Sequence, residues 1–560
     1  MRNHRLVVSA AVIAASVGLI PGAAQAAGPV KPDAHGTKAP DLNLGQGRGD
    51  TSSSNKFTSP ADRTVRKALP SAEGKTATAQ TPGVAADNPN LAVQLTGYGA
   101  SAHGIEIDSV ITSADASLSV TVEWGDGKSD QFDTFGNDKR TLAHTYAEVG
   151  AYTVKYTVTD AANNVTAVND LAVVTPGSDF TAHTPTRLLD TRDGTGAAQG
   201  KVAGRGTTRV KIAGNANIPA GVTAVALNVT VTNTVGGGHV TAYAEGSERP
   251  TTSNVNFSAG QTVPNLVIVP VGKNGYVELF NGGWESVDLI ADVTGYFSRT
   301  ASSGYTPIEP SRFVDTREGL GTARGQLGGR KSFTTQIGGL RGVPSGITAV
   351  ALNVTVTNPK QAGYLSAYPG GGAVPSSSNL NFTAGQTIAN SVIVPVSADG
   401  RISVFNGAWS AADVIVDVVG YYSPGSESAY MRVIPERLLD TRDSSQWSYG
   451  PLEGQGYIYM PLSTKAPSIT GVVLNSTVTN TKGTGYLTVS PDPNSIESYN
   501  NGTAGWPDAP NSSNLNWTKG ATVPNLVQTS MGYNGIIDFW NKGWEDTDLV
   551  VDIFGYYEKG

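Results

Sequence analysis

The sequence predicts an all-β chain built from several sandwich-like modules, three of which are copies of one another. Composition carries the first part of this. Among 560 residues only 15% are charged and 39% hydrophobic, with 67 Gly and 31 Pro, too apolar for wholesale disorder and too rich in turn residues for long helices. Alternating Thr and Val carry the second part, because a period of two is the signature of a half-buried strand. An internal period carries the third: Asp190-Thr191-Arg192 returns as Asp315-Thr316-Arg317 and Asp440-Thr441-Arg442, 125 residues apart each time.

Taken from the N-terminus, residues 1–26 read as a signal peptide. Arg2 and Arg5 form a basic start, Leu6 to Ile20 an apolar run, and Ala24-Gln25-Ala26 a small-residue cleavage site. The expected mature protein is secreted, extracellular or wall-associated, with no membrane insertion after cleavage. Residues 27–88, rich in Gly, Ser, Thr, Ala and Pro, read as a disordered linker.

Residues 89–175 carry short alternating strands. Two stretches stand out: the turn Trp124-Gly125-Asp126-Gly127, and His144-Thr145-Tyr146 leading into Gly150-Ala151-Tyr152-Thr153-Val154. Together they resemble the PKD domain, and the resemblance implies a small immunoglobulin-like sandwich serving as spacer or auxiliary module. From the residues themselves, Gly125 and Gly127 permit a tight turn, Trp124 plugs the sandwich, and Asp126 either caps the turn or binds calcium.

The three copies occupy 179–299, 305–423 and 429–560. A unit this long can close its own core, unlike a propeller blade or solenoid coil of about 20–50 residues. The expectation is three independent domains in tandem. Seven or eight strands per copy suit a β-sandwich or jelly roll. Each copy runs through Leu227-Asn228-Val229-Thr230-Val231-Thr232-Asn233, Ser253-Asn254-Val255-Asn256-Phe257, Asn281-Gly282-Gly283-Trp284 and a closing Gly-Tyr-aromatic triplet, or their equivalents. The third copy adds an insertion around Glu497–Pro510 containing Trp506. Units marked by such motifs resemble tandem repeats of secreted actinobacterial surface proteins. That resemblance implies a location and no defined chemistry.

Several function classes are excluded or disfavoured. The net charge of -7 and the absence of a basic block leave no electrostatic footprint for nucleic acid. The absence of cysteine removes thiol nucleophiles, disulfides and thiolate metal sites. Of six histidines only His183 and His239 lie in the copies, both in the first, where His239 takes a slot filled elsewhere by Tyr364 and Tyr486. A Ser-His-Asp triad therefore cannot recur in the second and third copies. The paired carboxylates Asp288/Asp292, Asp413/Asp417 and Asp548/Asp552 sit four apart. On a strand that is about 13 Å of backbone at ~3.3 Å per residue, too far for a glycosidase pair at about 5–9.5 Å.

Candidate binding residues are Trp284, Trp409 and Trp544, with Asn281, Asn406 and Asn541 at the head of the same turns. An exposed ring with amides at its rim is a way to hold a sugar; the alternative is a ring folded inward as a core plug. Asp190, Asp315 and Asp440 are read as internal ion-pair partners of Arg192, Arg317 and Arg442, with a calcium loop as the alternative. No catalytic residue and no other cofactor are expected. The expected partner is a glycan or cell-wall surface, or another extracellular protein, held by avidity of three similar modules. A scaffold without a small ligand is the second reading, and a hydrolase with a carboxylate site the third.

Overall fold

The computed structural model describes Leu44 and residues 56–69, 88–445 and 447–560; residues 1–26, read from the sequence as a signal peptide, lie outside them. The chain is all-β, built of antiparallel sheets paired into sandwiches. Among the described residues no helix is long and apolar enough to cross a membrane.

The N-terminal sandwich has nine strands: β1 (Lys56–Ser59), β2 (Val65–Ala68), β3 (Ala92–Gly99), β4 (Gly104–Thr112), β5 (Ser117–Glu123), β6 (Ser129–Phe135), β7 (Asp138–Thr145), β8 (Ala151–Asp160) and β9 (Val165–Val174). One sheet is ordered β1-β3-β4-β7 and the other β2-β9-β8-β5-β6. Val154, Tyr156 and Val158 point into the core from β8, as their alternation requires. Trp124 is buried beside them, its indole N–H donating to Asp130 at 2.9 Å. Gly125 and Gly127 adopt φ of 88° and 87°, the left-handed region the tight turn needs.

The reading of 27–88 as linker is corrected here for residues 56–69. They supply one edge strand to each sheet: β1 pairs with β3, and β2 with β9. The Ser59 hydroxyl donates to Asn169 at 2.7 Å, and the Val93 N–H donates to the Thr64 hydroxyl at 2.9 Å. Two four-residue strands, one of them exposed along its whole length, are too short to print a period of two on the sequence.

The first copy has eight strands: β10 (Asp179–Asp190), β11 (Thr207–Lys211), β12 (Ala224–Thr232), β13 (Gly238–Ala244), β14 (Val255–Phe257), β15 (Val263–Pro270), β16 (Tyr276–Asn281) and β17 (Asp288–Ser298). β10 pairs with β17, β11 with β16, β12 with β15 and β13 with β14. This is one long ribbon of strand pairs rolled into two sheets, β10-β17-β12-β15 and β11-β16-β13-β14. That topology is a jelly roll. The second and third copies repeat the order over 304–423 and 428–559.

The copies are not independent. Their first strands meet in a ring: Phe180 bridges Ser303, Tyr305 pairs with Ser428, and Tyr430 bridges Ser178. The middle pairing fuses the inner sheets of the second and third copies into one sheet of eight strands. Asparagines close a second ring. Asn228 donates to the Ser378 carbonyl at 2.7 Å, Asn353 to that of Ser513, and Asn475 to that of Ser253 at 2.8 Å. Each bond runs from the Leu-Asn motif of one copy to the Ser-Asn motif of the next, so the three jelly rolls are arranged about a pseudo-threefold axis.

The physical reason lies in β12, which is buried on both faces. Val225, Leu227, Val229 and Val231 enter the copy's own core, while Ala224 and Ala226 join a separate cluster shared by all three copies. That axial cluster is centred on Phe180, Tyr305 and Tyr430 and on Phe297, Tyr422 and Tyr557, with the Tyr422 and Tyr557 hydroxyls 2.7 Å apart. It also explains the closing triplet. A Cβ on Gly295, Gly420 or Gly555 would overlap the ring of Phe180, Tyr305 or Tyr430, so only glycine admits the aromatic.

Candidate binding face

The Asp-Thr-Arg motif is an internal lock. Both oxygens of Asp190 are taken by guanidinium groups, at 2.8 and 2.6 Å from Arg192 and 3.0 Å from Arg187, and the Arg192 N–H adds a fourth bond. Arg187 also reaches Asp292 at 3.0 Å, so one arginine ties the first strand to the last. Thr191 donates to Asp288, and Asn233 donates to the other oxygen of that carboxylate. Asp315 and Asp440 accept the same bonds from Arg317 and Arg442. The Arg192 hydrogen bond, opposed by burial, holds the Asp190 carboxyl below its ordinary value; burial pushes Asp292 up against the pull of Arg187.

This donor set does not fit calcium, because cationic groups already occupy the oxygens a metal would need. Asp126 does not fit it either: it caps its own turn through the Lys128 N–H at 3.0 Å and meets His144 Nε2 at 2.9 Å. The calcium alternative is therefore corrected for Asp190, Asp315, Asp440 and Asp126. The carboxylates considered for a hydrolytic site, Asp190, Asp288 and Asp292, lie near one another, but each is engaged by Arg, Thr or Asn. His239 lies against Phe280 as an aromatic strand residue, and burial lowers its pKa.

The Asn-x-x-Trp turns separate their two candidates. Asn281 is fully buried. Its amide donates to the carbonyls of Val202, Ala203 and Glu285, and its oxygen accepts from the Gly283 N–H at 3.0 Å. Asn406 and Asn541 are held in the same way. These asparagines have nothing left to offer a ligand, and their assignment as rim groups of a sugar site is corrected: they staple the turn. Trp284, Trp409 and Trp544 stand 82%, 83% and 81% exposed on those stapled turns, so the core-plug alternative does not hold. The guanidinium groups of Arg205 and Arg330 lie 5.4 Å from the Trp284 and Trp409 ring centres and brace one side of each.

The three rings stand on equivalent turns. At one end of the inner sheet Thr232 pairs with Asp288 and Val231 with Val263. The turns 233–237, 258–262 and 282–287 therefore leave the jelly roll at the same end, and the threefold arrangement puts all three sets on one side of the molecule. A pocket of about 840 Å³ opens there on the axis, lined by 258–264 of the first copy and the equivalent segments of the other two. Sequence reasoning missed this pocket, since nothing in a single copy shows that the three would close around an axis.

The third copy differs on its outer sheet. Its insertion forms a short helix, α1 (Ile496–Asn500), and packs Tyr499 on Tyr459 at 3.6 Å, with the Trp506 ring edge-on to Tyr457 at 4.9 Å. Beneath lies Asp538, fully buried, with neither oxygen accepting a hydrogen bond from a donor group. Burial and the neighbouring Asp492 push its pKa up to about 10. A protonated Asp538 sharing its proton with Asp492 satisfies both. Asp492 also accepts from the Tyr499 hydroxyl at 2.5 Å, so the pair fastens the insertion to the sheet.

No protein-family model matches the chain, and no curated protein does. Solved structures with some likeness include a SusE-like protein, 11% identical, covering 38% of this chain and 99% of that one at a TM-score of 0.12. The tandem CBM22 domain of Paenibacillus barcinonensis Xyn10C is 11% identical over 43% of this chain and 99% of its own, with a TM-score of 0.15. An archaeal virus protein described as a triple jelly roll is 10% identical over 68% of this chain and 90% of its own, with a TM-score of 0.14. Likenesses at these scores carry no argument about this chain.

Proposed function

We propose that this chain is a secreted, non-catalytic binding protein for an extracellular or cell-wall glycan, and that Trp284, Trp409 and Trp544 are its contact residues. The observation that carries the reading is the repeated exposure of these rings. A single exposed aromatic is unremarkable, but three equivalent indoles, each more than four-fifths exposed on a turn stapled by a buried asparagine, form a rigid array. Indole faces stack on the apolar face of a sugar ring with little entropy to lose. The PKD-like resemblance of 89–175 and the repeat motifs fit an exported surface protein.

Avidity takes a different form from that expected for modules on flexible joints. The ring of inter-copy hydrogen bonds fixes the spacing of the three indoles, so they suit a dense or periodic surface and pay no linker entropy on engaging it.

The test is retention of residues 27–560 on purified cell walls and insoluble polysaccharides, beside a variant with all three Trp changed to Ala. Loss of retention by the folded variant supports the reading. Equal retention of both proteins overturns it, and no retention of the parent on any wall or polysaccharide leaves the scaffold reading in its place.

A further inference from the structure

The axial pocket has a chemistry of its own. Its threefold walls are neutral and mixed: Val263, Ile388 and Val523 give apolar surface at equivalent positions, and Asn256, Asn381 and Asn516 with Thr262, Thr387 and Thr522 set amides and hydroxyls among it. Its volume of about 840 Å³ lies within the range of pockets that take small ligands, about 300–1,000 Å³. Amides and hydroxyls without a counter-charge suit a polyhydroxyl ligand, since each of its groups can donate and accept.

Two departures from threefold symmetry place cationic groups at the pocket. None of the residues lining the pocket is acidic, yet Lys519 stands in the third copy where the other two have Ala259 and Ala384. The groove leading out along the first copy is lined by Arg187 and Arg192. Their partners Asp190 and Asp292 are 1% and 2% exposed, whereas the Arg192 side chain is 45% exposed, so the cationic edges face the pocket and the carboxylates lie behind. In the second copy the equivalent Arg312 instead gives a hydrogen bond to the Asn511 carbonyl at 2.8 Å, across to the third copy. Arg187 and Arg192 are balanced by Asp190 and Asp292, so the added charge at the pocket comes from Lys519, in a protein of net charge -7.

We propose that this pocket is a second saccharide site and that its ligand is an acidic glycan, one whose sugar rings carry a carboxylate or a phosphate. The neutral walls take the hydroxyls, and Lys519 and Arg192 take the anionic group. The proposal rests on the glycan reading for the class of ligand but not on the three indoles, which lie outside the pocket lining.

The experiment is calorimetric titration of residues 27–560 with three soluble probes: hexagalacturonate, a phosphorylated mannose pentamer, and neutral cellohexaose. The expected result is tighter binding of one or both acidic probes than of cellohexaose, with the preference falling as salt rises. Which acidic probe binds identifies the anionic group. Lys519→Ala, which restores the residue of the other two copies and leaves the fold alone, should weaken acidic binding about threefold to tenfold, and Lys519→Glu more, with cellohexaose unaffected. The variant lacking the three Trp should still bind the soluble acidic probe, so failure of the wall-binding reading and of this one are separable. Equal affinity for all three probes, no binding of either acidic probe, or acidic binding indifferent to Lys519→Glu would overturn the proposal.

Discussion

Asn281 and Trp284 sit three residues apart and do opposite work. The asparagine closes a turn with four hydrogen bonds, and the tryptophan projects from it. Asn281→Ala leaves buried carbonyls and an N–H without partners. It should cost at least about 2 kcal/mol in a denaturant titration of the copies, at about 1–3 kcal/mol per orphaned group. Trp284→Ala should stay within about 0.5 kcal/mol of the parent. The spacing of the pair was legible in the sequence. The direction of the Asn amide was not, because an asparagine at a strand end reads alike whether it satisfies a turn or a ligand. Asp538 was passed over for a related reason: its burial depends on an insertion whose packing no local pattern reveals. Its folded pKa of about 10 lies above the unfolded value of 3.8. The folded state therefore holds a proton that the unfolded state releases, and stability falls as pH rises between those values, by at most about 1.4 kcal/mol per pH unit. Asp538→Asn, whose amide can donate to Asp492, should flatten that decline and raise the melting temperature at pH 8 more than at pH 5.

At the scale of elements, strand count and repeat length predict seven or eight strands per copy in a β-sandwich or jelly roll, and the structure has eight in a jelly roll. Strand order is a different kind of information. The pairing of β10 with β17 joins residues more than a hundred positions apart, fixed by Arg187 bridging Asp190 and Asp292 and by the Gly295 gap that admits Phe180. The short strands β1 and β2 show the opposite limit, contributing edge hydrogen bonds without any period to announce them. A chain beginning at Asn88 loses both and exposes the edges of β3 and β9. In a thermal melt its N-terminal sandwich should unfold at least about 5 °C below that of the parent, at roughly 4–8 °C per kcal/mol for a domain of this size. An unchanged melt would mean that β1 and β2 add nothing to the sandwich.

For the whole molecule, the repeat period pointed to self-sufficient domains, and each copy does have its own core. The overlooked feature was the second face of strands such as Ala224–Thr232, where Ala224, Ala226 and Asn228 offer small apolar groups and one amide to a neighbouring copy. The strand is buried on both sides, the mark of a sheet covered twice. Residues 304–423 alone should therefore expose Tyr305, Ala349, Ala351, Ile393 and Tyr422. Sedimentation should find that fragment self-associating while residues 179–560 remain monomeric; a monodisperse, monomeric single copy would contradict the closed ring. The same ring holds the turns that carry the three indoles in fixed relation to one another. The most direct measurement of that claim is wall binding by residues 27–560 as Trp284, Trp409 and Trp544 are removed singly, in pairs and together. A rigid set of three contact points predicts a stepwise loss in which each substitution weakens retention about tenfold or more and the triple variant is not retained. Retention unchanged by the triple substitution in a folded protein would contradict it.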